Sequence, residues 1–161
     1  MSVVRYIAHQ NRLAKLISAP GGKTMEEAID DAETGLQGVA EACLADIDRL
    51  IGDLAKRAGQ VIDNPGKTDA LYVGARKIAG LAAICKRPCL GRAAHSLCVL
   101  IDNSEDSGRW HREAVMVHIS TLQLLRGIPN EAESTMPDQL AGSLDDMVKR
   151  LADEDRRGPA A

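Results

Sequence analysis

The feature that constrains this chain most is an apolar recurrence running unbroken over residues 25–58. Ile29, Ala32, Leu36, Val39, Cys43, Ile47, Leu50 and Leu54 follow one another at steps of three and four residues. That spacing gathers them on one stripe of an α-helix but scatters them over both faces of a strand, so only a helix can bury them together. A stripe this long is the seam of a helical bundle or coiled coil and calls for a partner surface. Its start is written locally as well. Thr24 and Glu27 form a capping box, and Glu26, Glu27, Asp30 and Asp31 put negative charge at the positive end of the helix dipole.

Composition points the same way. The 161 residues hold no Phe, and Tyr6, Tyr72 and Trp110 are the whole aromatic inventory. A β-sandwich needs more of the aromatic residues that strands favour. With 45% apolar residues the chain can build a core and is not disordered.

Breaks divide the remainder into helices. Ala19-Pro20-Gly21-Gly22 ends a first helix predicted over 2–18, and Asn64-Pro65-Gly66 ends the second. Thr68 or Asp69 is expected to cap a third helix over 69–86. Pro88 opens a fourth as a first-turn proline, ending near 102–104. A fifth is predicted over 106–126, closed by Gly127 and Pro129, then a shorter amphipathic segment over 137–152 and a charged tail, 153–157, expected to fray. The expected fold is all-α. An antiparallel up-and-down four-helix bundle occupies 24–127, a helix and breaker precede it over 1–22, and a short helix with a charged tail follows over 128–161.

Several functions are disfavoured. A net charge of −3 and three aromatics suit neither a phosphate-backbone binder nor a base-stacking platform, so no nucleic acid is expected. The apolar runs are too short for a bilayer span, and Arg5, Arg12 and Lys15 interrupt any secretory core, so a cytoplasmic chain without membrane contact is expected. Cys43, Cys85, Cys89 and Cys98 are then reduced thiols, and their spacing matches no zinc motif. Gly21-Gly22-Lys23-Thr24 lacks the earlier glycine of a phosphate loop (Ile17 stands there) and the preceding strand. His111 and His118 share a helical face, but no Glu-x-x-His pair on another helix joins them, so packing or solvation accounts for both. No Gly-x-Ser-x-Gly elbow or nucleophile–base set is present. We therefore expect no metal, no cofactor and no enzymatic activity beyond, at most, carrying a phosphoryl group.

The third helix is the informative element. Leu71, Ala75, Ile78, Ala82 and Cys85 form its core stripe, and the opposite face collects Asp69, Val73, Arg76, Gly80, Ala83, Ile84 and Arg87. A solvated face would carry Lys, Glu and Gln. This one alternates small and apolar residues with arginines, as a docking surface with an apolar centre and basic rim would. The proposed contact residues are Val73, Arg76, Gly80, Ala83, Ile84 and Arg87, with Lys77 on the flank. Burial of the same face under the first or last helix is the alternative.

Ala75-Arg76-Lys77-Ile78-Ala79-Gly80, followed by Leu90, Ala93 and Leu97, resembles the Ala-His-x-Leu-Lys-Gly signature of histidine-containing phosphotransfer (HPt) domains. The resemblance covers roughly 36–125 and implies a four-helix bundle that meets a response-regulator receiver domain or a histidine kinase. Arg76 stands where the family has its phosphoryl-accepting histidine, and Ala79 where it has lysine. In a second register, Ala94-His95-Ser96-Leu97 supplies a histidine, but Cys98 and Val99 replace Lys-Gly. The PGGKT break, the long acidic-start helix and the Gly91-Arg-Ala-Ala-His-Ser-Leu-Cys98 run also resemble the small alphaproteobacterial chemotaxis-operon proteins called CheE. The resemblance implies a pseudo-phosphotransfer module that docks without carrying phosphate. The alternatives are an active carrier using His95 and a structural scaffold or homodimer formed along the seam of the second helix.

Overall fold

The computed structural model describes residues 21–61, 68–129, 131 and 135–157. The helix expected over 2–18 and the Asn64-Pro65-Gly66 break lie outside these. Among the described residues there are five helices and no strand: α1 (Met25–Val61), α2 (Asp69–Ile84), α3 (Pro88–Ser107), α4 (Arg112–Gly127) and α5 (Met136–Arg157). No helix among them is long and apolar enough to cross a membrane. The chain divides into two compact units, Met1–Leu36 and Gln37–Ala161, with the boundary inside α1.

In the first unit the capping box forms as the residue pattern predicts. The Glu27 N–H donates to Thr24 Oγ1 (3.1 Å) and the Thr24 N–H donates to Glu27 Oε2 (2.8 Å), satisfying two donors that a helix start otherwise leaves unpaired. Lys23 pairs with Asp31. The seam spacing is as read, but Ile29 and Leu36 are half-exposed.

In the second unit the seam changes character. Val39 is still half-exposed, whereas Cys43, Ile47 and Leu54 are buried in the core and Leu50 packs at its edge. α2 contributes Leu71, Ala75, Ile78 and Ala82 of its predicted stripe, with Cys85 half-buried at the end, and α3 contributes Leu90, Ala94, Leu97 and Ile101; all but Cys85 are fully buried. Thr68 meets Glu105, the Cys98 thiol lies 3.9 Å from the Tyr72 carbonyl oxygen, and a Cβ on Gly91 would touch Ala82. These contacts show α2 and α3 packed side by side in opposite chain directions. α1 crosses α2 closely enough at Gly74 that a Cβ there would lie 2.9 Å from Leu54 Cδ2.

Several boundaries differ from the sequence expectation. α2 stops at Ile84 rather than residue 86. Lys86 takes a left-handed backbone (φ 53°), while the Lys86 N–H donates to Ala83 O and the Arg87 N–H to Ala82 O, the paired bonds of a Schellman ending. α3 runs past 102–104 to Ser107 and ends where Gly108 adopts φ 68°. α4 accordingly begins at Arg112 and not at 106. Thr68 makes no side-chain cap on α2, because its hydroxyl donates to Glu105 of α3.

The C-terminal helix is neither short nor an appendage. α5 spans 22 residues, buries Ala141, Leu144 and Val148, and packs along α3. Residues 153–157 are its last turn instead of a frayed tail. Asp155 anchors that turn, hydrogen-bonded to His111 Nε2 (2.8 Å) and ion-paired with Arg109 Nη1 (3.2 Å).

Candidate functional site

Most of the face expected on the third helix is open. Val73, Arg76, Lys77, Gly80, Ala83 and Ile84 are all exposed on α2, with Val73 at 48% and Ile84 at 41% of full exposure. Helical spacing gathers Val73, Arg76, Gly80, Ala83 and Ile84 around one outward surface, with Lys77 beside them. Nothing lies within 4 Å of a Cβ built on Gly80. Glycine in a helix interior costs about 1 kcal/mol relative to alanine, and no packing demand among the described residues accounts for it.

Arg87 is a correction. The residue pattern puts it on the basic rim, but it is buried and serves the fold. Its Nη1 donates to Pro129 O (2.8 Å) and its Nη2 to Leu125 O (3.1 Å) and Arg126 O (3.0 Å), which satisfies the terminal carbonyls of α4. Its Nε pairs with Glu131 Oε1 at 3.3 Å. Glu131 in turn accepts the Cys89 N–H (2.7 Å) and the Leu90 N–H (3.3 Å) at the start of α3. One ion pair thus caps the end of one helix and the start of another, each charge of the sign that the helix dipole favours.

His95, the candidate of the second register, is exposed on α3. It shares a face with Cys98 and Asp102 at helical spacing. Burial, Glu105 and Asp106 push the Asp102 carboxyl above its ordinary value, and His95 opposes that rise. Burial and Asp102 push the Cys98 thiol up, and Arg76 opposes it. Arg76 and His95, read from two incompatible registers, therefore act on neighbouring groups of the α2–α3 pair.

The two histidines of the fifth predicted helix separate. His118 is fully buried: Nδ1 lies 2.7 Å from Ala114 O and Nε2 lies 3.2 Å from Ser96 Oγ. Burial lowers its pKa, so it packs as a neutral ring. His111 instead holds Asp155, whose carboxyl its hydrogen bond keeps below the usual range. A cleft of about 420 Å³ is lined by His111 itself with Trp110, Arg112, Glu113, Ala114, Val117, Met147 and Leu151. No group of three or more metal-ligating side chains is assembled among the described residues.

Sequence reasoning missed the Arg87–Glu131 pair and the Ser96–His118 contact. The first had one available signal, since Pro88 requires the preceding helix to have ended before Arg87. The second joins residues 22 apart through tertiary packing and leaves no local trace. Comparison of the chain with family models, with curated proteins and with solved structures returns no match.

Proposed function

We propose that this chain is a non-catalytic docking module of two-component signalling. It binds a response-regulator receiver domain through the outer face of α2 and passes it no phosphoryl group. In this reading α1 to α4 supply an antiparallel four-helix bundle like that of the HPt domains, in a cytoplasmic, chemotaxis-type setting.

The observation that carries it is the open face of α2. Two half-exposed apolar side chains, Val73 and Ile84, flank a glycine that leaves room for another protein's backbone, and Arg76 and Lys77 add positive charge. Burying the exposed parts of Val73 and Ile84 would contribute about 1 kcal/mol each. A guanidinium stays protonated and has no lone pair to attack phosphorus, so Arg76 cannot accept a phosphoryl group. Its planar fork suits the carboxylates of a receiver's acidic pocket.

A second reading, phosphoryl transfer to His95, is favoured by the exposure of that imidazole. One experiment separates the two. A phosphorylated receiver domain is incubated with the wild type, Arg76→Glu and His95→Ala, following both binding and acid-labile label. The docking reading predicts binding without label, weakened about tenfold or more by Arg76→Glu. Label on the wild type that vanishes in His95→Ala would establish the second reading instead. Equal affinities for wild type and Arg76→Glu would remove the proposed surface. A dimer that persists on dilution would point to self-association along the exposed half of α1.

A further inference from the structure

The cysteine spacing predicts four reduced thiols with no shared role, and two of them are placed otherwise. The Cys85 thiol, at the end of α2, donates to the Ala40 carbonyl oxygen of α1 at 3.6 Å. A helical carbonyl points along the axis towards the following turn, and the residue three further on, Cys43, is buried on the same side of α1. Cys43 is also among the groups that raise the Cys85 thiol's pKa. Both are free, with Cys43 buried and Cys85 half-buried. The remaining two are held elsewhere: Cys89 sits beside Glu131 at the start of α3, and Cys98 faces Tyr72.

We propose that Cys43 and Cys85 form an oxidisable pair that closes into a disulfide joining α1 to the end of α2. This inference is independent of the docking reading. The co-reactant is a small-molecule disulfide such as oxidised glutathione. Cys85, the more accessible thiol, loses its proton and attacks one sulfur of that disulfide. One glutathione thiolate leaves, and a mixed disulfide forms on Cys85. Cys43 then loses its proton and attacks the Cys85 sulfur, displacing the second glutathione. The protein gives up two protons and two electrons, and the small disulfide takes up both to become two thiols. Burial and Cys43 raise the Cys85 pKa, while Arg126 and Arg87 partly offset the rise. Exchange therefore accelerates as pH is raised, because the thiolate is the attacking form.

The test is to incubate the full chain with oxidised glutathione, alkylate the residual thiols, digest, and map linkages by mass spectrometry. The expected product links the peptides carrying Cys43 and Cys85, with Cys89 and Cys98 alkylated. In Cys43→Ser the mixed disulfide should persist on Cys85, and in Cys85→Ser Cys43 should remain a thiol. Circular dichroism of both variants checks that the helices are retained. An intramolecular bond that uses Cys89 or Cys98, or a wild type whose Cys43 and Cys85 are both alkylated after exposure, would overturn the proposal. The wild-type linkage map separates these outcomes even if a variant fails to fold.

Discussion

Glycine has opposite meanings at two positions of α2. At Gly74 it lets α1 approach, since a Cβ would press on Leu54 at 2.9 Å, whereas at Gly80 a Cβ would meet open space. Gly80→Ala should therefore stabilise the chain by about 0.5–1 kcal/mol through helix propensity. Gly74→Ala should destabilise it by about 1–2 kcal/mol as overpacking outweighs the same gain. Urea denaturation measures both. If Gly80→Ala proved destabilising, that residue would have an intramolecular role and the face would lose its main support. The buried His118 makes a separate demand. Its lowered pKa means that the unfolded chain binds a proton that the folded chain refuses, in the window from about 6.5 down to the folded value. Its contribution is complete above that window and declines as pH falls through it. Between about pH 7.5 and about pH 5.5 the urea midpoint should fall in the wild type and fall less in His118→Gln. An identical drop in both would assign the loss to other groups.

At the scale of elements, interior stripes are legible in the residue pattern and helix ends are not. Leu71, Ala75, Ile78 and Ala82, like Leu90, Ala94, Leu97 and Ile101, occupy the core because a 3.6-residue period leaves one way to bury them. Arg87 defeats the same reasoning because a helical wheel holds only where the helix exists. The chain reverses at Lys86, so the angle calculated for Arg87 has no meaning. The end of α3 is hidden because polar residues at 102–104 look like a stop. Ser104 is instead buried, its hydroxyl donating to Leu100 O at 2.7 Å, and the stop belongs to Gly108. The stability of the α4 end and the α3 start depends on Arg87 and Glu131. Removing one member of a buried pair leaves the other charged and unpaired, so Arg87→Ala should cost about 3–5 kcal/mol in chemical denaturation. A loss below about 1 kcal/mol would show that the carbonyls of α4 and the carboxylate of Glu131 find substitutes.

For the molecule as a whole, the described residues of the second unit expose apolar side chains on both α2 and α4, and these surfaces differ in chemistry. The α2 face mixes Val73, Gly80, Ala83 and Ile84 with Arg76 and Lys77. The outer face of α4 presents Met116, Val117 and Leu124, between 39% and 52% exposed, with Ser120 and Thr121. Charge distinguishes them as docking sites for an acidic partner: the α2 face sets Arg76 and Lys77 against one carboxylate, Asp69, whereas on α4 Arg112 is matched by Glu113. The candidate face is legible in the sequence because its composition departs from that of a solvated helix. The partner is not, because what recognises it is a surface shared with another molecule. The most direct measurement is a methyl-resolved NMR titration of the full chain with a receiver domain. Docking through α2 predicts shifted or broadened Val73 and Ile84 methyl signals at receiver concentrations that leave Met116, Val117 and Leu124 unchanged. Perturbation of the α4 methyls with Val73 and Ile84 silent would contradict it.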